Sequence, residues 1–508
     1  MRKEAGPIFL LFILLQIVWG YSYGRENGIQ LIPYAEFLRD HSLYSKDLFV
    51  QYAHQHLPNE RTFFVFLIAP LGNLMEWGVF IEYVICSFFL LYGLLTLAKH
   101  FLHDRKLAWT ALILLSFPLY YHTLGLNELY GMEYTSTLLS DTLSIWAIIY
   151  FLRNKPQASI LLLIPATLAH PLAGLQVFML ILGTIVWRAL RQKEGITAIR
   201  SLIRPIVLYI FTAGSFIIYL NGRFHDADTD PATLFQIFFV FRNAHHYLPT
   251  HYPTIDWILL APFYLAAPFL FRKKDKQTTL FLSLIIIGCA LYSFGVLFLH
   301  SPGIAEAQWF KTTSFLEYFA IIGVLMLIRT RFNEEKNPRV YAFILPATII
   351  VSLAWVLVLF PGISYMRNST AREYPFYKKV TPEMDIAMQA AQYVPQDALC
   401  IQPCSMDAFK HYSRRSSFVD YKALTHSGNF LVEWSRRFNL LYGVDPEHSK
   451  VVSFDAVQLA DEHYKKLTVD QILQLHKKEG VTHVVMFREN VLPFKVLAAN
   501  DKYILYAI

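Results

Sequence analysis

The feature that most constrains this chain is a series of long apolar stretches separated by short segments that hold most of the Lys and Arg. Hydrophobic residues make up 55% of the 508 residues and charged residues only 16%, against roughly a quarter in an ordinary soluble protein. A bilayer core requires about 20 apolar residues per helical span, and many stretches approach that length. The sequence therefore predicts an integral membrane protein whose net charge of +7 reflects topology rather than nucleic-acid binding.

The predicted membrane domain covers residues 1–362 and holds about 11 helical spans. The spans are 7–23, 78–98, 107–122, 138–152, 157–169, 172–187, 205–220, 256–271, 278–298, 314–328 and 340–361. The basic start followed by an apolar run also fits a signal peptide. No small-residue cleavage site follows that run, and Trp19, Tyr21 and Tyr23 form an interfacial belt. We therefore interpret it as a retained first span.

The basic residues predict which ends of the spans face the cytoplasm. With the N-terminus inside, the cytoplasmic segments hold about three times as many Lys and Arg as the outer loops before residue 363, as the positive-inside rule requires. This orientation treats 157–169 and 172–187 as a hairpin broken at His170-Pro171, because a single span there would reverse everything after it. We therefore expect the C-terminal part to lie outside the cytoplasm.

The C-terminal part, residues 363–508, alternates helical and strand patterns. TPEMDIAMQAAQYV, NFLVEWSRRFNLLYG and TVDQILQLHKKEG are helical, the last with Thr468 as its N-cap and Gly480 as its C-cap. ALCIQP, SSFVDY, VTHVVMF and KYILYAI are strand-like. This alternation predicts a separate α/β domain with a small, partly parallel sheet. Cys400 and Cys404 in this domain are either free or paired with each other, and their spacing does not decide between the two.

The first outer loop, residues 24–62, carries two candidate catalytic carboxylates, Asp40 and Asp47. Seven residues are two helical turns, so on a helix both carboxylates would share a face. A carboxylate held at the membrane surface can act as a general base on an acceptor hydroxyl or amine, and the alternative is a pair of solvated acids beside basic neighbours. An apolar stretch too short to span the bilayer, residues 63–74, follows and is expected to lie in the membrane interface.

Basic residues and histidines recur at one membrane depth in the later outer loops, where Arg and His can bind phosphate or anchor the chain at the interface. Adjacent histidines project differently, and no HxxxH pattern or cysteine pair completes a metal site, so no metal or other cofactor is predicted. Carboxylates and cations at one depth suit an anionic lipid headgroup. The carboxylates are Glu128 and Glu133, and the other residues are His170, Arg242, His245, His246, Tyr247 and Lys311.

The layout resembles the GT-C class of membrane glycosyltransferases, which take sugars from polyprenyl-phosphate carriers on the outer face. The resemblance lies in the order of a first span, an acidic outer loop, an interfacial helix, many spans and an outer domain. The motifs DHSLYSKD, AHPLAGL (169–175), R-x-x-HHY (242–247) and RRSSFVDYKALTHSGNFLVEWSRR are similar to those of a group of bacterial multi-pass membrane proteins with this layout. The matched residues of the last motif are Arg415, Asp420, Lys422, Glu433, Trp434 and Arg437.

This resemblance implies transfer of a sugar from a polyprenyl-phosphate donor to an extracytoplasmic acceptor, in the inner membrane of a bacterium. Asp40 or Asp47 would be the base, and the basic outer residues would bind the carrier phosphate. The matched residues of the outer domain would either recognise the acceptor or form an internal salt-bridge network. The alternative is a non-catalytic membrane protein, such as a lipid or glycan transporter or an envelope assembly scaffold. The uncharged mid-span segments LLLIPATL and SLIIIGCALYSFGVL favour a surface site over a transmembrane path.

Overall fold

The computed structural model describes residues 2–24, 27–117, 123–191, 195–224, 226, 228–332, 337–354 and 372–508. Up to residue 354 the described chain is helical. The α-helices are Arg2–Val18 (α1), Gly28–Arg39 (α2), Leu48–Gln55 (α3), Thr62–Ile68 (α4), Met75–Leu102 (α5), Arg105–Ser116 (α6), Ser136–Leu152 (α7), Pro156–Ala169 (α8), Pro171–Arg191 (α9), Gly195–Tyr209 (α10), Ser215–Phe224 (α11), Pro231–Phe235 (α12), Ala244–Tyr247 (α13), Thr254–Phe271 (α14), Lys276–Leu297 (α15), Pro302–Ala305 (α16), Thr313–Arg331 (α17) and Pro338–Ala354 (α18). Short 3-10 or π-helical segments extend them at Ala69–Leu74, Ile210–Gly214, Gln236–Arg242, Pro249–His251 and Trp309–Thr312.

Six helical stretches of the described chain are long and apolar enough to cross a membrane. They are Thr62–Leu102, Pro171–Arg191, Arg200–Arg223, Thr254–Phe271, Lys276–Leu297 and Pro302–Arg331. The other predicted spans correspond to shorter helices, so the number of 11 stays a prediction. The predicted spans 107–122 and 340–361 run on into 118–122 and 355–361. Those residues and the predicted domain boundary at 362/363 lie outside the described chain.

The predicted hairpin is present as two separate helices, α8 and α9. His170 has extended backbone angles (φ −139°, ψ 100°) that end α8, and Pro171 starts α9, as expected for a residue that cannot continue the preceding helix. The helices then pack closely, because a Cβ at Gly174 would lie only 2.4 Å from the backbone nitrogen of Thr167. Glycine at this position is what allows the two backbones to approach.

The predicted interfacial stretch 63–74 forms α4 and the 3-10 segment that follows it. Gly72 interrupts this segment with a positive φ of 67°, which glycine adopts readily, and α5 begins directly afterwards. Phe66 and Leu67 are about half exposed and Leu74 is more so. The segment therefore presents apolar side chains beside the start of the long helix α5.

The basic loops meet at one end of the helix bundle. Glu4 at the start of α1 forms salt bridges with Lys99 at the end of α5 and with Arg105 at the start of α6. Trp109 donates its indole N–H to the same carboxylate at 3.1 Å. The opposite end contacts the C-terminal domain and is called the domain-facing end below.

The C-terminal part folds as a five-stranded mixed sheet with helices packed around it. Its strand order is β4-β3-β5-β7-β6, with β3 parallel to both β4 and β5, and β7 antiparallel to β5 and β6. This confirms the predicted partly parallel sheet. The elements are β1 (Glu373–Tyr374), β2 (Tyr377–Lys378), α19 (Pro382–Tyr393), β3 (Leu399–Ile401), α20 (Phe409–Ser413), β4 (Ser416–Ser417), α21 (Gly428–Tyr442), α22 (Ser453–Tyr464), α23 (Val469–Glu479), β5 (His483–Phe487), β6 (Lys495–Ala499) and β7 (Tyr503–Ala507).

The helix ends in this domain follow the capping residues in the sequence. The Thr381 hydroxyl accepts a hydrogen bond from the Met384 amide at 3.3 Å at the start of α19. Thr468 and Gln471 form a capping box at the start of α23, and Gly480 ends that helix with a φ of +76°. These local interactions explain why the helix bounds are predictable. Cys400 and Cys404 are both buried and free.

Candidate functional site

Asp47, a predicted catalytic base, is buried in an ion-pair network between the first loop and the C-terminal domain. It is 1% exposed and caps α3 by accepting the Val50 amide at 3.0 Å. The Lys410 ammonium lies 3.0 Å from Asp47 Oδ2 and 2.5 Å from Asp420 Oδ2. The Ser417 amide also donates to Asp47, at 3.2 Å. The carboxylate is thus engaged by a cation and two amides, and Asp47 as the base stays a prediction.

The three charged groups of this network, called the buried triad below, influence one another strongly. Burial raises the pKa of Asp420, and the neighbouring Asp47 raises it further against the effect of Lys410. Burial disfavours the charge on Lys410, but the two carboxylates outweigh it and raise its pKa. A lysine held charged between two buried carboxylates is an arrangement that joins two parts of a fold.

Asp40 lies elsewhere, on the exposed surface. It ends α2, whereas Asp47 precedes α3, and a turn separates the two helices. The expectation that both carboxylates share one helical face is therefore wrong. Asp40 accepts hydrogen bonds from the amide and the hydroxyl of Ser42, which lower its pKa. Within the described chain neither aspartate contacts Arg242, His245 or His246.

The side chains of the matched residues of the C-terminal domain form contacts within that domain, partly with one another. Arg415 donates to the carbonyls of Val394 and Ala391 at 2.9 and 2.8 Å. Trp434 donates its indole N–H to the Asp420 carbonyl at 2.8 Å. These contacts favour the internal network over acceptor recognition. The ion pairs of the same network join Glu433 to Arg437 at 2.7 Å and Lys422 to Asp407 at 3.1 Å.

The R-x-x-HHY segment lies against the C-terminal domain. The Arg242 guanidinium stacks 4.2 Å from the Tyr421 ring centre and donates to the Tyr421 carbonyl at 2.6 Å. His245 Nδ1 lies 3.0 Å from the Ser453 hydroxyl. Tyr247 is buried, and its carbonyl accepts the Tyr292 hydroxyl at 2.9 Å. Arg242 and His245 therefore connect the helix bundle to the domain.

The two histidines of this segment are neutral at physiological pH. Their ring centres are 4.1 Å apart, and His246 Nδ1 lies 3.0 Å from the Gly125 carbonyl. Burial lowers the pKa of His245 to about 2, and the charges of His246 and Arg242 add to this effect. Burial likewise lowers the pKa of His246 to about 4. Each ring is thus a hydrogen-bonding group rather than a fixed charge.

Lys311 and His170 meet at the domain-facing end, as their shared depth predicts. The Lys311 ammonium lies 3.3 Å from His170 Nε2 and 3.4 Å from the Thr137 hydroxyl. The Ala173 amide donates to His170 Nδ1 at 3.3 Å. In the tautomer with the proton on Nε2, the ring and the ammonium both present N–H groups, and an anionic oxygen bridging the two nitrogens would accept from both.

No carboxylate of the described residues lies in ion-pair contact with the Lys311 ammonium, which instead contacts His170 and Thr137. Glu128 is exposed. Glu133 has another function, because it accepts the side-chain amide of Asn27 at 2.9 Å and the Gly28 amide at 3.3 Å, at the start of α2.

Further basic residues surround this pair and complete what is called the cation cluster below, in which Arg61, Arg242 and Lys311 are the cations and the histidines are hydrogen-bonding groups. After burial, nearby positive charges also lower the pKa values of two histidines. Arg61 and His426 act in this way on His170, and Lys311 acts on His246. Loop one, the α8–α9 hairpin, the segment 242–246, the turn before α17 and the C-terminal domain all contribute. The cluster consists of Arg61, His170, Arg242, His245, His246, Lys311 and His426. The sequence prediction missed Arg61 and His426, although Arg61 directly precedes the predicted interfacial stretch.

Glu60 is the loop-one carboxylate that lies at the cation cluster. It forms an ion pair with Arg61 and accepts the His426 amide at 3.3 Å. Burial raises the pKa of Tyr247, and the negative charge of Glu60 adds to this effect. Burial acts to raise the pKa of Glu60, but Arg61 and His426 outweigh it, so the pKa is lowered and the group is ionised at neutral pH. Sequence reasoning passed over this residue in favour of Asp40 and Asp47.

The described residues contain no group of three or more His, Cys, Asp or Glu side chains placed to hold a metal ion. The histidines of the cation cluster bond to a serine hydroxyl, a carbonyl and a lysine instead. The chemistry available at the cluster is therefore that of donors and positive charges facing one ionised carboxylate.

Comparison with known proteins gives the following likenesses. A family described as a domain of unknown function (DUF6798) matches residues 382–441, and no curated protein matches the chain. ArnT from Cupriavidus metallidurans in the apo state aligns over 99% of this chain and 98% of that chain, with 14% identity and a TM-score of 0.42. The oligosaccharyltransferase of Archaeoglobus fulgidus, in complex with Zn and sulfate, aligns over 95% of this chain and 67% of that chain, with 9% identity and a TM-score of 0.43. At these identities and TM-scores neither likeness carries an inference about what this chain does.

Proposed function

We propose that this chain is a membrane glycosyltransferase that transfers a sugar from a polyprenyl-phosphate carrier to an acceptor at the outer face of a bacterial inner membrane. The observation that supports this most is the proximity of the Lys311 ammonium to His170 Nε2, at 3.3 Å, with no described carboxylate in ion-pair contact with the ammonium. Anions bind where donors and positive charges converge without a matching carboxylate. A lipid phosphate would enter this position at the end of the helix bundle.

The cation cluster suits the leaving group of such a transfer. When the acceptor oxygen attacks the anomeric carbon, the bond between that carbon and the phosphate oxygen breaks, and its electron pair stays on the phosphate. Preorganised donors stabilise this developing charge in a site of low dielectric. Lys311, His170 and Arg61 would serve this purpose, and no acid is required because a phosphate is a good leaving group.

Glu60 takes the base function that the resemblance assigns to a loop-one carboxylate. An ionised carboxylate beside the cation cluster can accept the proton that the acceptor hydroxyl loses during attack. His426 and Arg61 would hold its orientation through their contacts with it. The acceptor would be a cell-surface glycan or a lipid, approaching from the side of the C-terminal domain. The proposed partners are thus the bilayer, the lipid-linked sugar and this acceptor.

The alternative function is non-catalytic, as in a transporter or an assembly scaffold. One observation favours it: Glu82 and Glu317 are acidic residues on the long helices α5 and α17. Ionisable groups within membrane helices often mark transport pathways. The cation cluster lies at an end of the bundle instead, where a headgroup rather than a permeating solute would bind.

The test is consumption of labelled donors by the purified protein in liposomes. A panel of radiolabelled polyprenyl-phosphate hexoses and pentoses is offered with an envelope extract as acceptor, and loss of label from the lipid is followed. Lys311→Met should reduce turnover by at least about a hundredfold, as for the loss of a strong transition-state interaction. Lys274→Met, at an exposed position of the opposite end, should leave turnover unchanged. Equal rates in both variants would place the activity elsewhere.

A further inference from the structure

The C-terminal domain begins, in the described chain, with a short β-hairpin that carries aromatic residues at its turn. The hairpin pairs Glu373 with Lys378 and Tyr374 with Tyr377. Phe376 at the turn is 65% exposed and Tyr377 is 55% exposed. Large apolar rings held in water are costly, at about 25 cal/mol for each Å². Residues 372–380 are called the aromatic hairpin below.

The aromatic hairpin is fixed to the end of the first helix, α1. The Glu373 amide donates to the Tyr21 carbonyl at 2.9 Å, and the Glu373 carboxylate accepts the Tyr23 amide at 2.7 Å. The Tyr374 hydroxyl donates to the Gln16 carbonyl at 3.0 Å. Gln16 belongs to the last turn of α1, so these bonds hold the hairpin at the depth where that apolar helix ends.

A second set of contacts joins the aromatic hairpin to the start of α5. The Lys378 ammonium lies 2.8 Å from the Glu76 carboxylate. The Phe376 ring centre is 6.0 Å from that of Phe80 and 6.3 Å from that of Trp77. Since Glu76, Trp77 and Phe80 lie in the first turns of α5, the hairpin is placed at the same depth relative to two separate membrane helices.

The exposed apolar surface is continuous from α5 onto the domain. Trp77 is 47% exposed and Leu74, directly before α5, is 69% exposed. Val380 at the end of the hairpin is 53% exposed. Aromatic rings next to basic residues at the end of a membrane helix are the composition that favours the headgroup layer of a bilayer.

We propose that the aromatic hairpin inserts Phe376 and Tyr377 into the headgroup layer of the leaflet on the domain-facing side. The C-terminal domain is then held to the bilayer by its own lipid contact, in addition to its contacts with the helix bundle. Lipid, and not another protein, is the occupant because the exposed rings continue the lipid-facing surface of α5. This inference stands independently of the proposed enzymatic function.

Spin labelling in lipid nanodiscs tests the proposal. A nitroxide is attached to Phe376→Cys and, as a matched control in the same domain, to Val491→Cys, whose parent side chain is 77% exposed. Power saturation compares access of dissolved oxygen, which partitions into lipid, with that of a water-soluble nickel chelate. We expect the oxygen-to-nickel ratio to be several-fold higher at position 376. Equal ratios at the two positions would overturn the proposal, and wild-type protein measures any labelling of native thiols.

A second measurement covers the case in which the labelled variant misfolds. Phe376→Trp and Val491→Trp are reconstituted with and without lipids brominated near the headgroup, which quench tryptophan at short range. The added fluorescence of Phe376→Trp should be quenched, and that of Val491→Trp should not. Absence of extra quenching in Phe376→Trp, with thermal unfolding like that of the wild type, would also overturn the proposal.

Discussion

Two lysines of this molecule, Lys410 and Lys311, are held between parts of the chain that are distant in sequence, and they differ in charge balance. Lys410 lies within ion-pair distance of two carboxylates, Asp47 and Asp420. Lys311 faces a histidine and a threonine, and no described carboxylate is in ion-pair contact with it. Removing one partner of a buried ion pair is strongly destabilising, and a buried cation that has no such partner is costly unless a ligand supplies the anion.

This difference in charge balance distinguishes residues that join parts of the fold from residues proposed to bind a ligand better than the sequence pattern does. Asp47 sits in a motif shared with the resembled family, yet its contacts belong to the compensated kind. Glu60 lies outside the motifs used for the prediction, but it borders the cation cluster. Charge balance in three dimensions thus supports the proposed ligand position at Lys311, and the following experiments test that proposal.

The largest expected effect comes from breaking the buried triad. Lys410→Met leaves Asp47 and Asp420 buried without a cation, which should reduce the free energy of unfolding by about 3–5 kcal/mol. The measurement is urea unfolding of the purified protein, followed by maleimide labelling of Cys400 and Cys404, which are both buried. Labelling should begin at lower urea concentration in the variant.

Two control variants sharpen this result. Lys410→Met combined with Asp47→Asn and Asp420→Asn should recover most of the lost stability, because no charge is left uncompensated and Asn still caps a helix. Arg436→Met removes the ion pairs with Glu433 and Glu479, in which the arginine side chain is 47% exposed. It should cost only about 0–1 kcal/mol. If Arg436→Met and Lys410→Met cost the same, the triad is not the structural element described.

A comparable effect is expected on catalysis from Glu60. Glu60→Gln keeps the size of the side chain but removes the base, and general-base catalysis typically contributes about 10²–10⁴-fold. Turnover of the donor that the wild type consumes, measured below the melting temperature of the variant, should fall within that range, and the melting temperature itself should fall because the ion pair with Arg61 is lost. Asp40→Asn, at an exposed position away from the cation cluster, should retain full turnover. The reverse outcome would restore Asp40 as the base.

The smallest effect is a pH dependence of stability from His245 and His246. Their pKa values are lowered in the folded protein, to about 2 and about 4, from an ordinary value of about 6.5. The folded state therefore binds fewer protons than the unfolded one, and stability falls as the pH drops below about 6.5. The melting temperature should fall as the pH is lowered from 7.5 to 5, and it should fall less steeply in His245→Gln.

The matched control for this titration is His448→Gln. His448 is exposed, and its hydrogen bond to Asp445 raises its pKa. Its removal should leave the fall in melting temperature on acidification in place. A pH dependence that is the same in His245→Gln and in the wild type would show that this histidine is not buried as described.

The sequence predicted most of what depends on neighbours along the chain. The caps Thr381, Thr468 and Gly480 act within one helical turn, so the bounds of α19 and α23 could be predicted from them. The break at His170-Pro171 is local in the same way. β6 was missed because its outward residues carry little strand pattern, and α22 was missed because its first residue, Ser453, has a positive φ of 56° and no side-chain cap.

The candidate site was predicted less well because its chemistry depends on contacts between distant segments. The meeting of Lys311 with His170 could be expected from membrane depth, since both residues precede or follow apolar helices at the same end. Nothing near Asp47 in the sequence indicates that Lys410 will neutralise it. The position of Glu60 beside His426 is equally non-local. Membrane depth therefore predicts that Lys311 and His170 lie together, whereas Glu60, the proposed base, is indicated only by contacts between distant segments.

The buried triad has a consequence for how the protein is made. Asp47 and Lys410 are 363 positions apart. At a synthesis rate of about 5–20 residues per second, on the order of 20–70 s therefore pass between the synthesis of Asp47 and that of Lys410. A similar interval separates the synthesis of Glu36 from that of Arg414, its salt-bridge partner at 2.9 Å. Until the C-terminal domain has emerged and docked, the first loop lacks these partners, and Glu60 lacks His426. The first loop therefore completes these contacts only after the C-terminal domain has been synthesised.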